Sequence, residues 1–346
     1  PVMNKRRPVS ITLVLDTSGS MGGDPIARER DVVLAIAKSL QKGDIVNAVT
    51  WSMSQSVNLD HHIVSGPNDP EVLKLANTLK AGGGTDLHAG LVRGYELAEA
   101  SYEPERLNRL VLISDGGANA GITDEDLIGK KSKNADKKEG IYLVGVGTGH
   151  ANGSNYHDSL MDVVTDKGRG AYVYIDTKQE ADAIFGERFN EVMEIAARSV
   201  QVELNLPWYF QMHKFYGEEY SEDPKEVEPQ HLAPGDVMVF AQVLKACSEE
   251  VIDPNDEISV NINWQDPHSY ASKSASKTLT VDQLLKGKTD QLLKGKAIVA
   301  YAEALKTGDP DDLVDAQNSL DQAGGGNDDM LLEINNLLQL HPNYPK

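Results

Sequence analysis

Three oxygen-bearing side chains, Asp16, Ser18 and Ser20, stand at alternate positions in "ITLVLDTSGSMGG", residues 11–23. Two further stretches present the same kind of group: "RLVLISDGG" ends an apolar run on Asp115, and "AGGGTDL" places Thr85 after three glycines. Carboxylates and hydroxyls with no thiolate among them form a hard donor set. Hydroxyls combined with carboxylates that act partly through water suit Mg2+ best, with Ca2+ or Mn2+ as alternatives. Taken singly, each stretch reads as an ordinary turn or helix cap. Taken together they read as one cation site, provided the fold carries all three to the same edge.

The elements needed to do so are legible over residues 10–197. Apolar runs "SITLVLD", "DIVNAVTW", "RLVLISD", "IYLVGVG" and "AYVYID" alternate with helical patterns that begin at "PIARERDVV", "DPEVLKLAN", "TDLHAGLVR", "TDEDLIGKK", "DSLMDVV" and "TKQEADAIF". Several of the strands are continuously apolar, as in a parallel sheet covered on both faces. Alternation of strand and helix predicts right-handed crossovers and an α/β, doubly wound, mostly parallel sheet. "SVNLDHHIV" alternates instead and follows the preceding strand closely, which predicts an antiparallel edge hairpin. In such sheets ligands bind beyond the carboxyl ends of the central strands, where Asp16, Ser18, Ser20 and Asp115 fall. Asp86 reads as a first-turn cap or an outer partner of a metal, and Asp24 as a cap ahead of Pro25.

Beyond residue 198 the pattern changes. "RSVQVELNLP", "DVMVFAQVL", "EISVNINW" and "SKTLTV" read as strands between polar, proline-bearing loops, which predicts an antiparallel β-sandwich over 198–281. From 282 to 346 the pattern is helical, with glycine stops and aspartate starts at "TGDPDD" and "GGGNDD". The octapeptides "VDQLLKGK" and "TDQLLKGK" (281–296) form a tandem too short for a solenoid. Cys247, within "VMVFAQVLKAC", reads as a small buried hydrophobe, His61 and His62 as a solvated or structural pair, and "DPNDE" (253–257) as a hairpin turn.

Composition narrows the partners. The 346 residues are 40% hydrophobic and 25% charged, ordinary for a globular protein, and the net charge of −20 opposes nucleic acid and favours cations. One cysteine rules out an internal disulfide, and no apolar run is long enough to insert in a membrane. The chain opens "PVMNKRRPVS", without an initiator methionine, and so reads as a piece of a longer protein. Ser18 stands where a haloacid-dehalogenase phosphatase needs a second carboxylate. No P-loop or G-x-S-x-G pattern occurs, and "GVGTG" (145–149) lacks dinucleotide spacing.

D-x-S-x-S after the first strand, threonine after a glycine run, and strand-S-D-G together resemble the von Willebrand factor type A domain, over residues 8–197. The resemblance implies a metal-ion-dependent adhesion site made of Asp16, Ser18, Ser20, Thr85 and Asp115. Ser18 and Ser20 would ligate directly, Thr85 in the ligand-competent state, and Asp16 and Asp115 mainly through bound waters. A protein partner's Asp or Glu would take the sixth position. It further implies an adhesion or interaction module of bacterial type, not an enzyme, at the cell surface or in a secreted or periplasmic setting in preference to the cytoplasm. Bacterial proteins of this kind add β-structure and terminal helices, which would make residues 1–7 an edge of the 198–281 domain. Two alternatives are an intracellular assembly factor acting with an AAA+ ATPase and a metal-assisted hydrolase with His88 as base. The oligomeric state is left open.

Overall fold

The computed structural model describes residues 6–117, 126–128, 130, 140–149, 171–217, 220–223, 225–227, 229–267, 269–324 and 328–345. Two compact units emerge, one comprising Pro1–Ile195 with Ala233–Gly235, the other Ala196–Leu232 with Asp236–Lys346.

In the first unit β1 (Val9–Asp16), β2 (Ile45–Trp51), β3 (Gln55–Ile63), β4 (Leu107–Ser114), β5 (Tyr142–Thr148) and β6 (Tyr172–Ile175) form one sheet in the order β3-β2-β1-β4-β5-β6. All neighbours are parallel except β3, which runs antiparallel to β2 at the edge, as its alternation predicts. The chain direction across the sheet reverses between β1 and β4, whose registered pairs run from Val9–Leu107 to Leu15–Ile113. That reversal opens a crevice beyond the carboxyl ends of the two strands.

The pleat divides the core. Ile11, Leu13 and Leu15 of β1, with Val111 and Ile113 of β4, join one cluster with α1 (Asp24–Ser39) and α2 (Pro70–Thr78). Val14, Leu110 and Leu112 join a second with α3 (Leu87–Ala100). Residues i and i+2 therefore serve one face and i+1 the other. Helix α3 lies unusually close to the sheet: a Cβ added at Gly90 would lie 2.6 Å from Trp51 Cγ, and one at Gly94 2.5 Å from Val14 Cγ2. Glycine at both positions lets the start of α3, and the loop before it, settle against β1 and β2.

Residues 177–197 depart from the single helix expected there. A turn of helix at Lys178–Ala181, capped by Thr177, widens into a π-helical stretch at Asp182–Glu187, and a further turn covers Phe189–Met193. The Arg188 amide donates to the Ala183 carbonyl five residues back. This wider winding includes Gly186 and buries Phe185, Phe189 and Met193 together. The expected helices at 123–140 and 158–168 fall largely or wholly outside the described residues. So do residues 1–5, whereas Arg6 pairs with Asp44 at 2.5 Å within the first unit. Asp24 is the first residue of α1, not its cap; that position belongs to Gly23, at φ +91°.

In the second unit β7 (Ala197–Asn205), β8 (Phe210–Tyr216), β9 (Gln230–Leu232), β10 (Ala241–Ala246), β11 (Glu257–Gln265) and β12 (Ser272–Thr280) build antiparallel sheets of order β12-β11-β7-β9 and β10-β8. A short helix at Val281–Leu285 follows β12, and the helices at Asp290–Thr307, Pro310–Gln322 and Asp329–Gln339 pack around Ala297, Ala304, Leu313, Ala316, Leu320, Leu331 and Leu338. β8 and β9 lie in what reads as polar loop, and β10 starts five residues later than its apolar run. Cys247 is exposed and not buried, because it lies just past the end of β10.

Candidate metal centre

At the end of β1 the backbone wraps around its own last carboxylate. Asp16 has no solvent exposure; its Oδ1 accepts the Ser18 amide at 2.8 Å and its Oδ2 accepts the Ser114 hydroxyl at 2.7 Å. A short 3-10 turn at Gly19–Met21 comes next, and the Ser18 and Ser20 hydroxyl oxygens stand 3.0 Å apart. From β4, Asp115 is 3% exposed and its Oδ1 accepts the Gly117 amide at 2.9 Å. A Cβ at Gly117 would lie 3.0 Å from that Oδ1 and 3.3 Å from Ser20 Oγ. The bare backbone at Gly117 thus fits between Asp115 and Ser20. Asp16, Ser18, Ser20 and Asp115 converge at the β1–β4 crevice.

Thr85 enters on a loop stitched to the same turn. The Thr17 amide donates to Trp51 O at 2.8 Å, Gly82 to Thr17 O at 2.8 Å, Gly19 to Gly83 O at 3.1 Å, and Asp86 to Ser52 O at 2.8 Å. Gly83 takes φ +96°, a conformation that side chains with a Cβ rarely adopt. Thr85 itself is exposed. Asp86 next to it caps α3, its carboxylate accepting the Ala89 amide at 3.1 Å.

The electrostatics of the crevice are those of crowded acids. Burial pushes the Asp16 carboxyl up to about 6, and the charge of Asp115 adds to this; hydrogen bonds from Ser114 and Ser18 only partly offset them. Glu29 of α1 was not a sequence candidate. It is fully buried, and among the described residues neither of its carboxyl oxygens has a hydrogen-bond partner. Burial, then the neighbouring charge of Asp16, holds it well above the ordinary range, and Asp115 contributes in the same sense. Its signal in the sequence was positional: it falls on the apolar stripe Ile26, Val33, Ile36 of α1. Ser114, also unassigned from sequence, stands in the "ISD" that was read for its aspartate. Asp16 and Asp115, with the Ser18 and Ser20 hydroxyls beside them, make an oxygen-donor set that fits a divalent cation, whose charge would offset the repulsion among these carboxyls and Glu29 behind them.

The two histidines of β3 have structural partners. His62 Nε2 lies 2.8 Å from Asp69 Oδ1, and His61 Nδ1 lies 3.0 Å from Ser101 Oγ. "GVGTG" belongs mostly to β5. His88 is exposed one turn into α3. No group of three or more His, Cys, Asp or Glu side chains is placed to hold a metal among the described residues; the set at the crevice depends instead on hydroxyls. Among the described residues no helix is long and apolar enough to cross a membrane.

Comparison with known proteins bears on this arrangement. The model of the von Willebrand factor type A domain matches residues 10–187. The uncharacterized protein YfbK of Escherichia coli (strain K12) is 30% identical over 202 residues, 58% of this chain and 34% of that protein. The human inter-alpha-trypsin inhibitor heavy chain H3 is 27% identical over 203 residues, 57% of this chain and 22% of that protein. The chain thus spans about a third or less of the length of these two relatives. A solved von Willebrand factor type A protein from Catenulispora acidiphila shares the fold with a TM-score of 0.55 at 15% identity, covering 96% of this chain and 82% of that one. The ArnB paralog VWA2 from Sulfolobus acidocaldarius does so with a TM-score of 0.50 at 14% identity, covering 98% and 86%. With its six-stranded sheet, its crevice at the β1–β4 reversal and a family match over half its length, the chain belongs to the von Willebrand factor type A domain family.

Proposed function

We propose that the first unit is a metal-dependent protein-binding module. Mg2+ is held by the hydroxyls of Ser18, Ser20 and Thr85, with Asp16 and Asp115 acting chiefly through water, and a partner's Asp or Glu completes the coordination. The observation that carries this reading is the convergence of Asp16, Ser18, Ser20 and Asp115 at the crevice, with the Asp16 carboxyl desolvated and faced by like charge. Neutral hydroxyls against the ion leave much of its charge unquenched, so an external carboxylate is drawn to it. The described loops offer donors and positioning groups, which suits adhesion or interaction in preference to catalysis. A cell-surface, secreted or periplasmic setting accords with an adhesive role.

The test has two arms. Thermal unfolding in Mg2+ against EDTA is expected to show a metal-dependent rise for the native chain and none for Asp16→Ala. Partners captured from the source cell are expected to be retained in Mg2+ and lost in EDTA. A native chain whose melting ignores Mg2+, Ca2+ and Mn2+ alike would overturn the proposal, as would partners indifferent to both metal and mutation.

A further inference from the structure

The turn joining β2 to β3 projects an apolar side chain into solvent beside the crevice. Met53 is 76% exposed, and among the described residues of the first unit no large apolar side chain is more so. The turn that carries it is fixed. Ser52 donates its amide to Ser54 O at 3.0 Å, and its carbonyl accepts the Asp86 amide at 2.8 Å. The side chain lies against the following loop: a Cβ at Gly84 would lie 2.7 Å from Met53 Cγ, and one at Gly83 3.9 Å from it. Met53 therefore runs along the bare Gly83–Gly84 backbone immediately before Thr85. The Gly83 carbonyl in turn accepts the amide of Gly19, between Ser18 and Ser20.

This placement has a chemical sense. The flanking residues Ser52, Ser54 and Gln55 are polar, so the turn needs no apolar group for its own fold. The glycines beside Met53 carry no side chain to shield it, and Gly83 is exposed to solvent. Methionine is flexible and polarizable, and adapts to varied apolar partners.

We propose that Met53 and the Gly83–Gly84 strip form the apolar half of a two-point docking rim. The partner is a protein segment with an aliphatic or aromatic side chain within one or two residues of the carboxylate it offers to the metal centre. This deepens the carboxylate-docking reading above and rests on it.

A display library of short peptides, each with a fixed central Asp or Glu and random flanks, tests the pairing against the full chain in Mg2+ with elution by EDTA. Recovered peptides are expected to concentrate Leu, Ile, Met or Phe next to the acid. A synthetic peptide of the recovered sequence is expected to lose about tenfold in affinity toward Met53→Ser, the order expected for one buried apolar side chain. Toward Met53→Leu, which restores an apolar contact, the loss is expected to stay within about twofold. Because Met53 is exposed, both variants should melt as the native chain does. Flanks without apolar bias, or undiminished binding to Met53→Ser, would overturn the proposal while leaving carboxylate docking intact. Retention that survives EDTA or Asp16→Ala, or no retention in Mg2+, removes carboxylate docking and this inference with it.

Discussion

Replacing Asp16 with asparagine removes one charge with almost no change in volume; its oxygen can still accept the Ser18 amide, and its amide nitrogen can donate to the Ser114 hydroxyl in place of accepting from it. Burial lifts this carboxyl from 3.8 to about 6 in the folded chain. A carboxyl with a raised folded value binds its proton more tightly in the folded state. Its penalty is therefore absent below the unfolded value, grows as pH rises between about 4 and 6, and is complete above that. A shift of roughly two units corresponds to about 3 kcal/mol of stability lost by pH 7 in EDTA. For a unit of this size that is about 6–12 °C in melting temperature. Other carboxyls titrate in the same range, so the quantity to measure is the difference between native chain and Asp16→Asn. Differential scanning calorimetry from pH 4 to 7.5 in EDTA should show the native chain falling relative to the variant across that window. In Mg2+ the native curve should flatten, because the cation supplies the missing opposite charge, and the variant should not respond. Parallel curves for the two chains in EDTA would refute the claim that Asp16 is a strained acid.

Glu29→Met removes a buried carboxyl without changing size much; in EDTA at pH 7 the variant should melt above the native chain, since an unpaired buried acid is costly and an apolar replacement is not. Gly90→Ala and Gly94→Ala should each lower stability by about 1–3 kcal/mol in urea unfolding, because the added methyl meets Trp51 or Val14. At Asp69 burial acts upward, but the Ser65 amide and hydroxyl, His62 and the Glu71 amide outweigh it and hold the carboxyl well below its ordinary value. Its contribution should be present near neutral pH and lost as pH falls below about 4. Asp69→Ala should cost about 1–3 kcal/mol at pH 7 by the same unfolding assay, through loss of the α2 cap and the Ser65 bonds.

Where hydrophobic periodicity is strong, the fold could be read from the chain. The continuous apolar runs of β1, β4 and β5 became the centre of the parallel sheet, and the alternation in "SVNLDHHIV" became its antiparallel edge. The strand ends that carry Asp16 and Asp115 were legible for the same reason. Glu29 was not, because a charged residue on an apolar stripe reads as a surface position until packing shows otherwise. Ser114 reads as the last apolar-strand position before Asp115, and Met53 as one residue of a polar turn. Neither has a local pattern; each acquires meaning from a loop distant in sequence. The second unit was harder. β8 mixes Lys, His and aromatic residues over a half-exposed surface, so no clean period survives. The duplicated octapeptide makes the limit plain. Its first copy is a short helix opened by a capping box between Thr280 and Gln283, and its second runs on into the long helix from Asp290. Nearly identical residues meet different ends because the chain continues into a second start at Thr289 after one copy and into the apolar run "AIVAYAEAL" after the other.

The stitching of residues 17–19, 51–52 and 82–86 by main-chain hydrogen bonds bears on how this rim meets anything at all. Loops already ordered surrender little conformational freedom when a partner settles, so more of the contact energy remains as affinity. For the docking proposed above, recognition at such a rim would resemble a key meeting a finished lock, and variation among ligands would fall mainly on how long each stays bound. Loosening the stitch, as by replacing Gly83, should then weaken every ligand by a similar factor, whatever side chains that ligand presents.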